Sequence, residues 1–403
     1  MIVNLGKHYV SDFIKSDKDY IGKEKYRLDL EIDESIGAAR LIEVAPSNTM
    51  WGKYWYRSGI NTTMIRELSN VVGEIISRVK HQTGDIWLDI ACNDGTLLKQ
   101  VPNTYYKIGI DPADDTFVAE SSKVANMIVQ DYFSHRAYLF ASTKKAKVIT
   151  TIAMFYDLIN PHSFVEDINK VLDDNGVWVL QLSYTPLMLQ QLAFDNICHE
   201  HAYYYSLNSL KKLFAKHDLK IVDCSLNDVN GGSFRVYVQK NKANINSFGT
   251  GPLRDVCNFR IQSLLEYENS HYNISNPEVW EQFMKNIEAL KEQTVNFIKE
   301  EKAKGKKICG YGASTKGNTL LQWFGLDHTL IDAIAERSPY KYGLKTIGTN
   351  IPILSEEAVR EMKPDYMLVL PWHFINEFVQ REKKYLNGGG KFIVPCPKFE
   401  IIG

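Results

Sequence analysis

Two strand–turn–helix units, one in each half of the chain, constrain its fold more than any other feature. The first runs from Ile86 to Leu98 and the second from Lys307 to Leu321. In both, an apolar strand leads into a turn of small and polar residues and then into an apolar helix. Strands and helices continue to alternate after each unit, and this alternation implies a parallel, doubly wound sheet. The sequence therefore predicts an α/β protein with two Rossmann-like domains.

The chain of 403 residues is too long for a single core, so several domains are expected. The apolar spacing predicts a helix from Asn61 to Lys80 and one long charged helix over 275–304. The predicted domains are an N-terminal module at 1–60, a first Rossmann-like domain at 61–240, a helical linker at 241–304 and a C-terminal domain at 305–403.

The composition argues against several classes of protein. The net charge of −1 is unlike that of a general nucleic-acid binder, which needs a basic face. The chain lacks a run of about 18 apolar residues and an apolar segment near its start, so we expect neither a membrane helix nor a signal peptide. Its six cysteines are scattered without a CxxC pair, which favours a reducing cytoplasm. We expect a monomer or a weak homo-oligomer.

The turn of the first unit predicts a nucleotide-cofactor site. It reads Asp89-Ile-Ala-Cys-Asn-Asp-Gly95, and its small residues let the backbone approach a ligand closely. Asp111 ends the next predicted strand, where a carboxylate can accept both ribose hydroxyls. Ala91 stands where a dinucleotide motif has glycine, which favours S-adenosylmethionine (SAM) over a dinucleotide. An ordinary turn with solvated acids is the alternative. The predicted cofactor residues are Asp89, Ala91, Asn93, Asp94, Gly95, Asp111, Asp131, Ala153 and Met154.

A segment with two histidines, ending in Cys198-His-Glu-His201, lies between the two units. Imidazole takes up a proton near neutral pH, and a neighbouring carboxylate raises its basicity. In a strand, His199 and His201 would share one face and Glu200 would lie on the other. A structural polar loop and a partial metal site are the alternatives, although a metal would need further ligands that the sequence does not announce.

The turn of the second unit, Cys309-Gly-Tyr-Gly-Ala-Ser-Thr-Lys-Gly-Asn-Thr319, predicts an anion site. Glycines, hydroxyl groups and Lys316 precede a helix, and a helix N-terminus attracts negative charge. Glu336 ends the next predicted strand and is placed to bind a ribose as Asp111 is. An ordinary glycine-rich turn is the alternative.

With these pieces in this order, the chain resembles the SAM-dependent sugar C-methyltransferases over nearly its whole length. Further motifs that carry the resemblance are Tyr56-Arg-Ser-Gly59, Gly231-Gly-Ser-Phe-Arg-Val236, Pro371-Trp372 and Lys391-Phe-Ile-Val-Pro395. Such enzymes join a small zinc module, a class I SAM methyltransferase domain and a C-terminal Rossmann-like domain. They methylate carbon 3 of 4-keto-deoxysugars carried on a nucleoside diphosphate.

The resemblance implies roles for the motifs. His201 would remove the proton next to the ketone, Glu200 would hold a substrate hydroxyl or orient the histidine, and Tyr56 would reach in from the N-terminal module. The implied catalytic set is His201, Glu200, His199, Asp157, Tyr56 and Cys198. The implied substrate residues are Tyr184, Asn230, Tyr311, Ser314, Thr315, Lys316, Asn318, Glu336, Trp372 and His373. The implied ligands are SAM, its product S-adenosylhomocysteine (SAH) and a nucleoside-diphosphate sugar.

Four departures from the family pattern bear on the chemistry. The N-terminal module has none of the zinc cysteines, and residues 31–37 stand in the place of the second pair, so we expect no zinc. Cys198 replaces a tyrosine, and Asn230 replaces a histidine before Gly-Gly-Ser. Asp157 stands in place of an active-site histidine, and Ala153 in place of an asparagine.

These departures leave three hypotheses open. The first is C-methylation of a nucleotide-activated keto sugar. The second is methyl transfer to oxygen or to a non-sugar carbon acid, with Asp157 and His201 sharing the proton transfer. The third is a non-catalytic module that binds a nucleotide sugar, against which the His-Glu-His motif argues.

Overall fold

The computed structural model describes residues 1–20, 23–46, 57–60, 62–244, 246–249 and 251–403. Within these ranges, the strands form a four-stranded, a seven-stranded and a six-stranded sheet and one two-stranded ribbon. The N-terminal strands are β1 (Val3–Tyr9), β2 (Phe13–Ile14), β3 (Lys25–Asp33) and β4 (Ala38–Leu41). Strands β1, β3 and β4 pair antiparallel in that order.

The seven-stranded sheet lies in the middle of the chain. Its strands and helices are α1 (Thr62–Arg78), β5 (Ile86–Ile90), α2 (Thr96–Gln100), β6 (Tyr106–Ile110), α3 (Asp115–Ser121), β7 (Met127–Val129), α4 (His135–Ala141), β8 (Ala146–Ile152), α5 (Pro161–Val171), β9 (Leu172–Ser183), α6 (Thr185–Gln190), β10 (Tyr203–Tyr204), α7 (Leu207–Ala215), β11 (Leu219–Asn227) and β12 (Ser233–Lys240). Strand β10 belongs to a different sheet. The predicted helix at 61–80 is confirmed as α1, and Asn61 itself is outside the described residues.

The strand order of this sheet, β7-β6-β5-β8-β9-β12-β11, is that of a class I methyltransferase domain. Strands β5 to β9 run parallel, and β12 is antiparallel to both β9 and β11. The order reverses between β5 and β8. In an open α/β sheet, a ligand binds outside the carboxyl ends of the strands at such a reversal.

Two long helices follow this sheet. They are α8 (Pro252–His271) and α9 (Pro277–Ala303), and α9 confirms the long helix predicted at 275–304. Helix α8 packs against β11, where the buried Asp223 accepts hydrogen bonds from Arg260 of α8 and from Arg78 of α1. Helix α9 instead places apolar residues such as Trp280 and Ile298 in the core of the C-terminal domain.

The C-terminal region forms the second Rossmann-like domain, as predicted. Its elements are β13 (Ile308–Tyr311), α10 (Thr315–Phe324), β14 (Ile334–Glu336), β15 (Lys345–Thr346), β16 (Ile353–Ser355), α11 (Glu356–Glu361), β17 (Tyr366–Val369), α12 (Ile375–Arg381), α13 (Lys383–Asn387), β18 (Lys391–Val394) and β19 (Glu400–Ile402). The order is β16-β14-β13-β17-β18-β19, parallel except for β19. This sheet reverses between β13 and β17.

The N-terminal module joins the two Rossmann-like domains. Its strand β4 pairs with β10 of the middle region, and β2 pairs with β15 of the C-terminal domain. The side chain of Gln322 on α10 also bonds both backbone groups of Tyr9. Among the described helices, none has the length and apolar character that a bilayer crossing requires.

We predict that Asp223→Ala lowers the free energy of unfolding by about 3–5 kcal/mol, because it leaves two arginines without their buried partner. Denaturant unfolding measures this. The matched control is Asp174→Ala, which removes an exposed carboxylate that also bridges two cations, Lys240 and Lys242. The control should cost no more than about 1 kcal/mol. Equal losses in the two variants would refute the structural role of Asp223.

Candidate functional site

The turn after β5 has the backbone of a tight ligand-binding loop. Ala91, Asn93 and Gly95 all have positive φ, at 59°, 52° and 78°. This left-handed region is costly for the two residues that carry a Cβ, so the surrounding contacts must hold the loop in place. Asp111 provides one such contact, since its Oδ2 accepts a hydrogen bond of 2.7 Å from the backbone N of Asn93.

Asp111 lies directly after β6, as the cofactor prediction requires. Its Oδ1 accepts a second hydrogen bond, of 2.8 Å, from the backbone N of Ala113. Each carboxylate oxygen has a further lone pair, so the group can still accept two ribose hydroxyls. Burial raises the pKa of this carboxyl group. The geometry of the loop and the acceptor at the end of β6 fit SAM.

The other acids predicted for the cofactor have different surroundings. Asp89 is buried under the loop and accepts a 2.6 Å hydrogen bond from Thr150, and burial raises its pKa to about 7. Asp131 is exposed after β7 and accepts a hydrogen bond from the backbone N of Tyr132. The Asp89 side chain therefore connects β5 to β8, whereas Asp131 is exposed.

The cofactor loop is tied to the end of the N-terminal module. The Asn93 Oδ1 accepts a hydrogen bond from the backbone N of Ser58, and the Asp94 Oδ2 accepts one from the backbone N of Gly59. Tyr56, the predicted catalytic residue of the same motif, is outside the described residues. The chain that follows Tyr56 is thus fixed against the predicted cofactor site.

Two adjoining hollows lie beyond the carboxyl ends of β8 and β9, and both are lined by Tyr156 and Ser183. One hollow is bordered by Ala153, which has a φ of 56° and precedes Met154 in the chain. The other hollow contains His201, and its full lining is Tyr156, Ser183, Thr185, Met188, Asn196, His201, Tyr203 and Tyr204. The predicted cofactor side and the predicted base side are therefore neighbours.

His201 is oriented as a base. Its Nδ1 lies 2.9 Å from the carbonyl oxygen of Asn196. A carbonyl only accepts, so Nδ1 carries the ring proton and Nε2 has the lone pair. The ring packs against Tyr156 at 4.2 Å between centroids. Burial and the charge of Lys316 lower the pKa of His201 to about 3, so the ring is neutral near pH 7.

His199 points away from this site. Residues 198–201 form a turn, closed by a hydrogen bond from the backbone N of His201 to the carbonyl of Cys198, and so they are not a strand. His199 Nε2 instead lies 3.1 Å from the carbonyl of Tyr26 in the N-terminal module. The expectation that the two histidines share a strand face is wrong, because the turn sends their side chains to different domains.

Asp157 and Glu200 are two buried carboxyl groups that adjoin the base in sequence or through Tyr156: Glu200 precedes His201 in the turn, and Asp157 follows Tyr156, whose ring packs against His201. One oxygen of each, Asp157 Oδ1 and Glu200 Oε2, is buried without a hydrogen-bond partner among the described residues. Burial raises the pKa of both groups, and the charge of Glu200 raises that of Asp157 further. The pKa of the Cys198 thiol is also raised, by burial first and then by Glu200. Orphaned buried oxygens of this kind point to a ligand that satisfies them.

The loops at the β13–β17 reversal face the same region from the C-terminal domain. Ser314 caps α10, and Glu336 accepts a 2.8 Å hydrogen bond from the backbone N of Ala313, as Asp111 does from Asn93. Lys316 Nζ donates to Asn196 Oδ1 at 2.5 Å. The predicted anion loop therefore lies one hydrogen bond from the segment that holds His201.

Thr315 and Asn318, two further residues predicted to bind substrate, contact the N-terminal module. Thr315 accepts a hydrogen bond from Ser11 at its carbonyl, and Asn318 donates one to the carbonyl of Asp12. The Oδ1 of Asn318 is buried without a partner among the described residues. Residues 314–318 thus contact the N-terminal module, and the Asn318 Oδ1 is available as an acceptor for a ligand.

Trp372 and His373 follow β17. Trp372 Nε1 donates to the buried Asp195 at 3.1 Å. His373 lies against Gly231, and burial and Lys316 lower its pKa to about 3. Asn230, beside Gly231, has a described backbone only. The two loops thus meet across the cleft between the domains.

Two tyrosines predicted to bind substrate lie elsewhere. The Tyr311 hydroxyl bonds Glu382 and Arg381 in a buried network of the C-terminal core. The Tyr184 hydroxyl donates to Glu268 of α8 at 2.9 Å. Tyr311 ends β13 and Tyr184 follows β9, and both hydroxyl groups have partners within the protein, so their role in substrate binding stays a prediction.

Sequence reasoning missed Asp195 and Asn196. Both lie in the short 3-10 helix Phe194–Asn196 and bond the C-terminal domain through Trp372 and Lys316. A signal existed, since two adjacent polar residues interrupt an apolar run just before His-Glu-His. Elsewhere in the described part of the chain, the six cysteines are free and buried, and the structure shows no cluster of three acidic, histidine or cysteine side chains suited to a metal ion.

Comparisons with known proteins agree with this geometry. Residues 63–223 match the family model of a methyltransferase domain, and residues 228–397 match that of a C-methyltransferase C-terminal domain. The chain is 27% identical over 404 residues to the C-methyltransferase NovU of Streptomyces niveus, covering 100% of this chain and 94% of that protein.

Solved structures with local similarity include two methyltransferases. One is magnesium protoporphyrin IX methyltransferase from Synechocystis PCC 6803 with bound SAM, at 10% identity and a TM-score of 0.34 over 47% of this chain and 87% of that one. The other is N-methyltransferase NodS from Bradyrhizobium japonicum WM9, at 11% identity and a TM-score of 0.32 over 44% and 93%. The two family models and the full-length relative support a SAM-dependent methyltransferase in which a methyltransferase domain is followed by a C-methyltransferase C-terminal domain.

We predict that Asp111→Ala weakens SAM binding by about 1.5–3 kcal/mol, the cost of losing hydrogen bonds to a charged acceptor. Titration calorimetry with SAM and SAH measures this. Glu120→Gln is the control, because it removes an exposed carboxylate on α3 that pairs only with Lys123. Unchanged affinity in Asp111→Ala would show that the ribose lies elsewhere.

Proposed function

We propose that this SAM-dependent methyltransferase methylates a carbon next to the keto group of a deoxysugar carried on a nucleoside diphosphate, with His201 as the base. The observation that carries the proposal is the fixed tautomer of His201. Its Nδ1–H is held by the Asn196 carbonyl, which leaves the Nε2 lone pair to take a proton. A structural histidine that saturates both nitrogens would have no such free lone pair.

The proposed reaction begins when His201 Nε2 removes a proton from the carbon next to the ketone. The electrons of that C–H bond form an enolate, and the enolate carbon then forms a bond to the methyl carbon as the sulfur–methyl bond breaks and SAH leaves. SAM supplies the electrophilic methyl group. The adjoining hollows that share Tyr156 and Ser183 support this scheme, because base and methyl donor must approach one carbon.

The carboxyl pair has a proposed role in stabilising the enolate. Burial raises the pKa of Asp157 and Glu200, so a proton stays on the pair well above the ordinary range of a carboxylic acid. A protonated carboxyl group can donate a hydrogen bond to the developing enolate oxygen. The unpartnered oxygens of both side chains provide the capacity for this contact.

The nucleotide carrier is proposed to bind at the β13–β17 reversal. Lys316 provides a positive charge, and α10 begins there with the Ser314 cap. Glu336 holds the loop as Asp111 holds the cofactor loop. Its Oε1 already accepts from the backbone N of Arg337 and of Ser338, so a ribose hydroxyl would bind at Oε2. The sugar would then extend towards His201, because Lys316 and His201 both bond Asn196.

Methyl transfer to oxygen, or to a non-sugar carbon acid, is the second candidate. Asp157 favours it, because a carboxyl group in this position can take part in removing a hydroxyl proton. An enolate mechanism exchanges the carbon-bound proton with solvent in the absence of SAM, whereas simple O-methylation does not. A module that binds a nucleotide sugar without catalysis would show neither exchange nor transfer.

We predict that His201→Gln abolishes solvent deuterium exchange into the substrate and lowers turnover about 10²–10⁴-fold, the usual contribution of a general base. The measurement is mass spectrometry of thymidine, uridine and guanosine diphosphate 4-keto-6-deoxyhexoses incubated in D₂O with SAH. SAM affinity should stay near that of the wild type, because His201 is not one of the predicted cofactor residues.

His199→Gln is the matched control. It removes an imidazole two residues away that contacts Tyr26, and it should retain exchange in the folded protein. Full exchange in His201→Gln together with its loss in Asp157→Asn would move the base to Asp157. Methyl transfer without exchange in the wild type would favour the oxygen-directed reaction.

A further inference from the structure

Asn196 is bonded on one side to the anion loop and on the other to the base. Its side-chain carbonyl accepts the Lys316 ammonium, and its backbone carbonyl accepts the Nδ1–H of His201. The same backbone oxygen lies 3.4 Å from the Tyr204 hydroxyl. Lys316 and His201 belong to different domains, so a single residue connects them.

The 3-10 helix that contains Asn196 is fixed to the C-terminal domain at each of its residues. Phe194 packs against Trp323 and Phe324 of α10, with ring centroids 4.7 and 5.2 Å apart. Asp195, only 1% exposed, accepts the indole N–H of Trp372. The aromatic contacts are with the end of α10, and the Lys316–Asn196 hydrogen bond is the link between the start of α10 and the residue that orients the base.

We propose that Asn196 is a positioning residue that holds Lys316 against the base in the ligand-free enzyme, and that an anion bound at the Lys316 loop releases His201 for proton abstraction. This inference rests on the proposed function, because the anion it requires is the diphosphate of the substrate. The arrangement would make the enzyme selective for substrates that carry a diphosphate. A keto sugar without its nucleotide would bind while His201 is still a weak base.

The electrostatic reason is the sign of the charge that faces His201. A nearby ammonium disfavours a second positive charge on imidazole, and Lys316 lowers the pKa of both His201 and His373 in addition to burial. The other titratable groups around the turn are Cys198, Tyr156, Tyr204, Asp157, Glu200 and Asp195. Burial raises the pKa of all three acids, so they offset little of the lysine charge. A diphosphate paired with Lys316 would raise the pKa of His201, the direction that makes it a stronger base.

The test is the titration of the histidine rings by NMR in the full-length protein with isotope-labelled histidine. His201 is assigned through the loss of its signal in His201→Gln. Thymidine diphosphate, uridine diphosphate, guanosine diphosphate and inorganic pyrophosphate serve as probes. A bound diphosphate should raise the proton affinity of His201 roughly tenfold or more, which is one pKa unit. His199, on the far side of the turn, should not respond.

Three variants isolate the contribution of each group. Lys316→Met should raise the proton affinity of His201 without any ligand and remove the response to diphosphate. Asn196→Ala keeps the backbone carbonyl but removes the side-chain acceptor of Lys316. It should therefore also raise the proton affinity of His201. Lys341→Met is the matched control, because Lys341 donates to the Ala313 carbonyl of the same loop. It should leave the proton affinity of His201 unchanged.

The outcomes separate this inference from the proposed function. A diphosphate that binds without changing the titration of His201 would overturn the inference and leave the proposed function standing. An unchanged proton affinity of His201 in Lys316→Met would also overturn the inference, whether or not Asn196→Ala folds. If none of the probes binds, the nucleotide-sugar substrate is refuted, and Lys316→Met still decides whether the lysine controls the base.

Discussion

The cleft between the two Rossmann-like domains depends on the packing of the short helix Phe194–Asn196. This segment lies between β9 and β11 of the methyltransferase sheet in the chain, yet its aromatic ring lies in the apolar core of the C-terminal domain. Burying Phe194 there fixes the Asp195–Trp372 and Asn196–Lys316 hydrogen bonds. The turn with His201 begins immediately after it, so the position of the base is set by a contact between domains.

The two Rossmann-like domains use the same device to shape their ligand loops. In each, a carboxylate after the second strand of the unit accepts a hydrogen bond from the backbone of the loop after the first strand. Asp111 does this for Asn93, and Glu336 does it for Ala313. Asp111 keeps a lone pair on each oxygen for a ligand, whereas Glu336 accepts three backbone hydrogen bonds and keeps one on Oε2. The parallel supports the proposal that both loops serve nucleotide-like ligands, one with a methyl donor and the other with an activated sugar.

Local periodicity predicted the elements of the fold, because α1, β5 and β13 are defined by apolar spacing within a few residues. The same reasoning failed for side chains whose direction depends on distant contacts. The His199 ring contacts the carbonyl of Tyr26, and the Tyr311 hydroxyl accepts a hydrogen bond from Arg381 within a buried ionic network. Asn196 was missed because its importance comes from Lys316, 120 residues further along the chain. Sequence motifs thus located the cleft, while tertiary packing decided which of their residues face it.

Among the departures from the pattern of the sugar C-methyltransferases, Ala153 borders the hollow on the cofactor side and Asn230 adjoins Gly231, whereas two others lie at the base. Cys198 and Asp157 lie together with Glu200 on the side of the base, where their charges influence one another. The anion loop around Lys316 keeps its glycines, hydroxyl groups and lysine. Replacing a tyrosine by cysteine and a histidine by aspartate shortens two side chains on the base side and adds an acid. Under the proposed function, this distribution implies that the carrier nucleotide is recognised as in the family, and that the sugar differs in the part that meets Asp157 and Glu200.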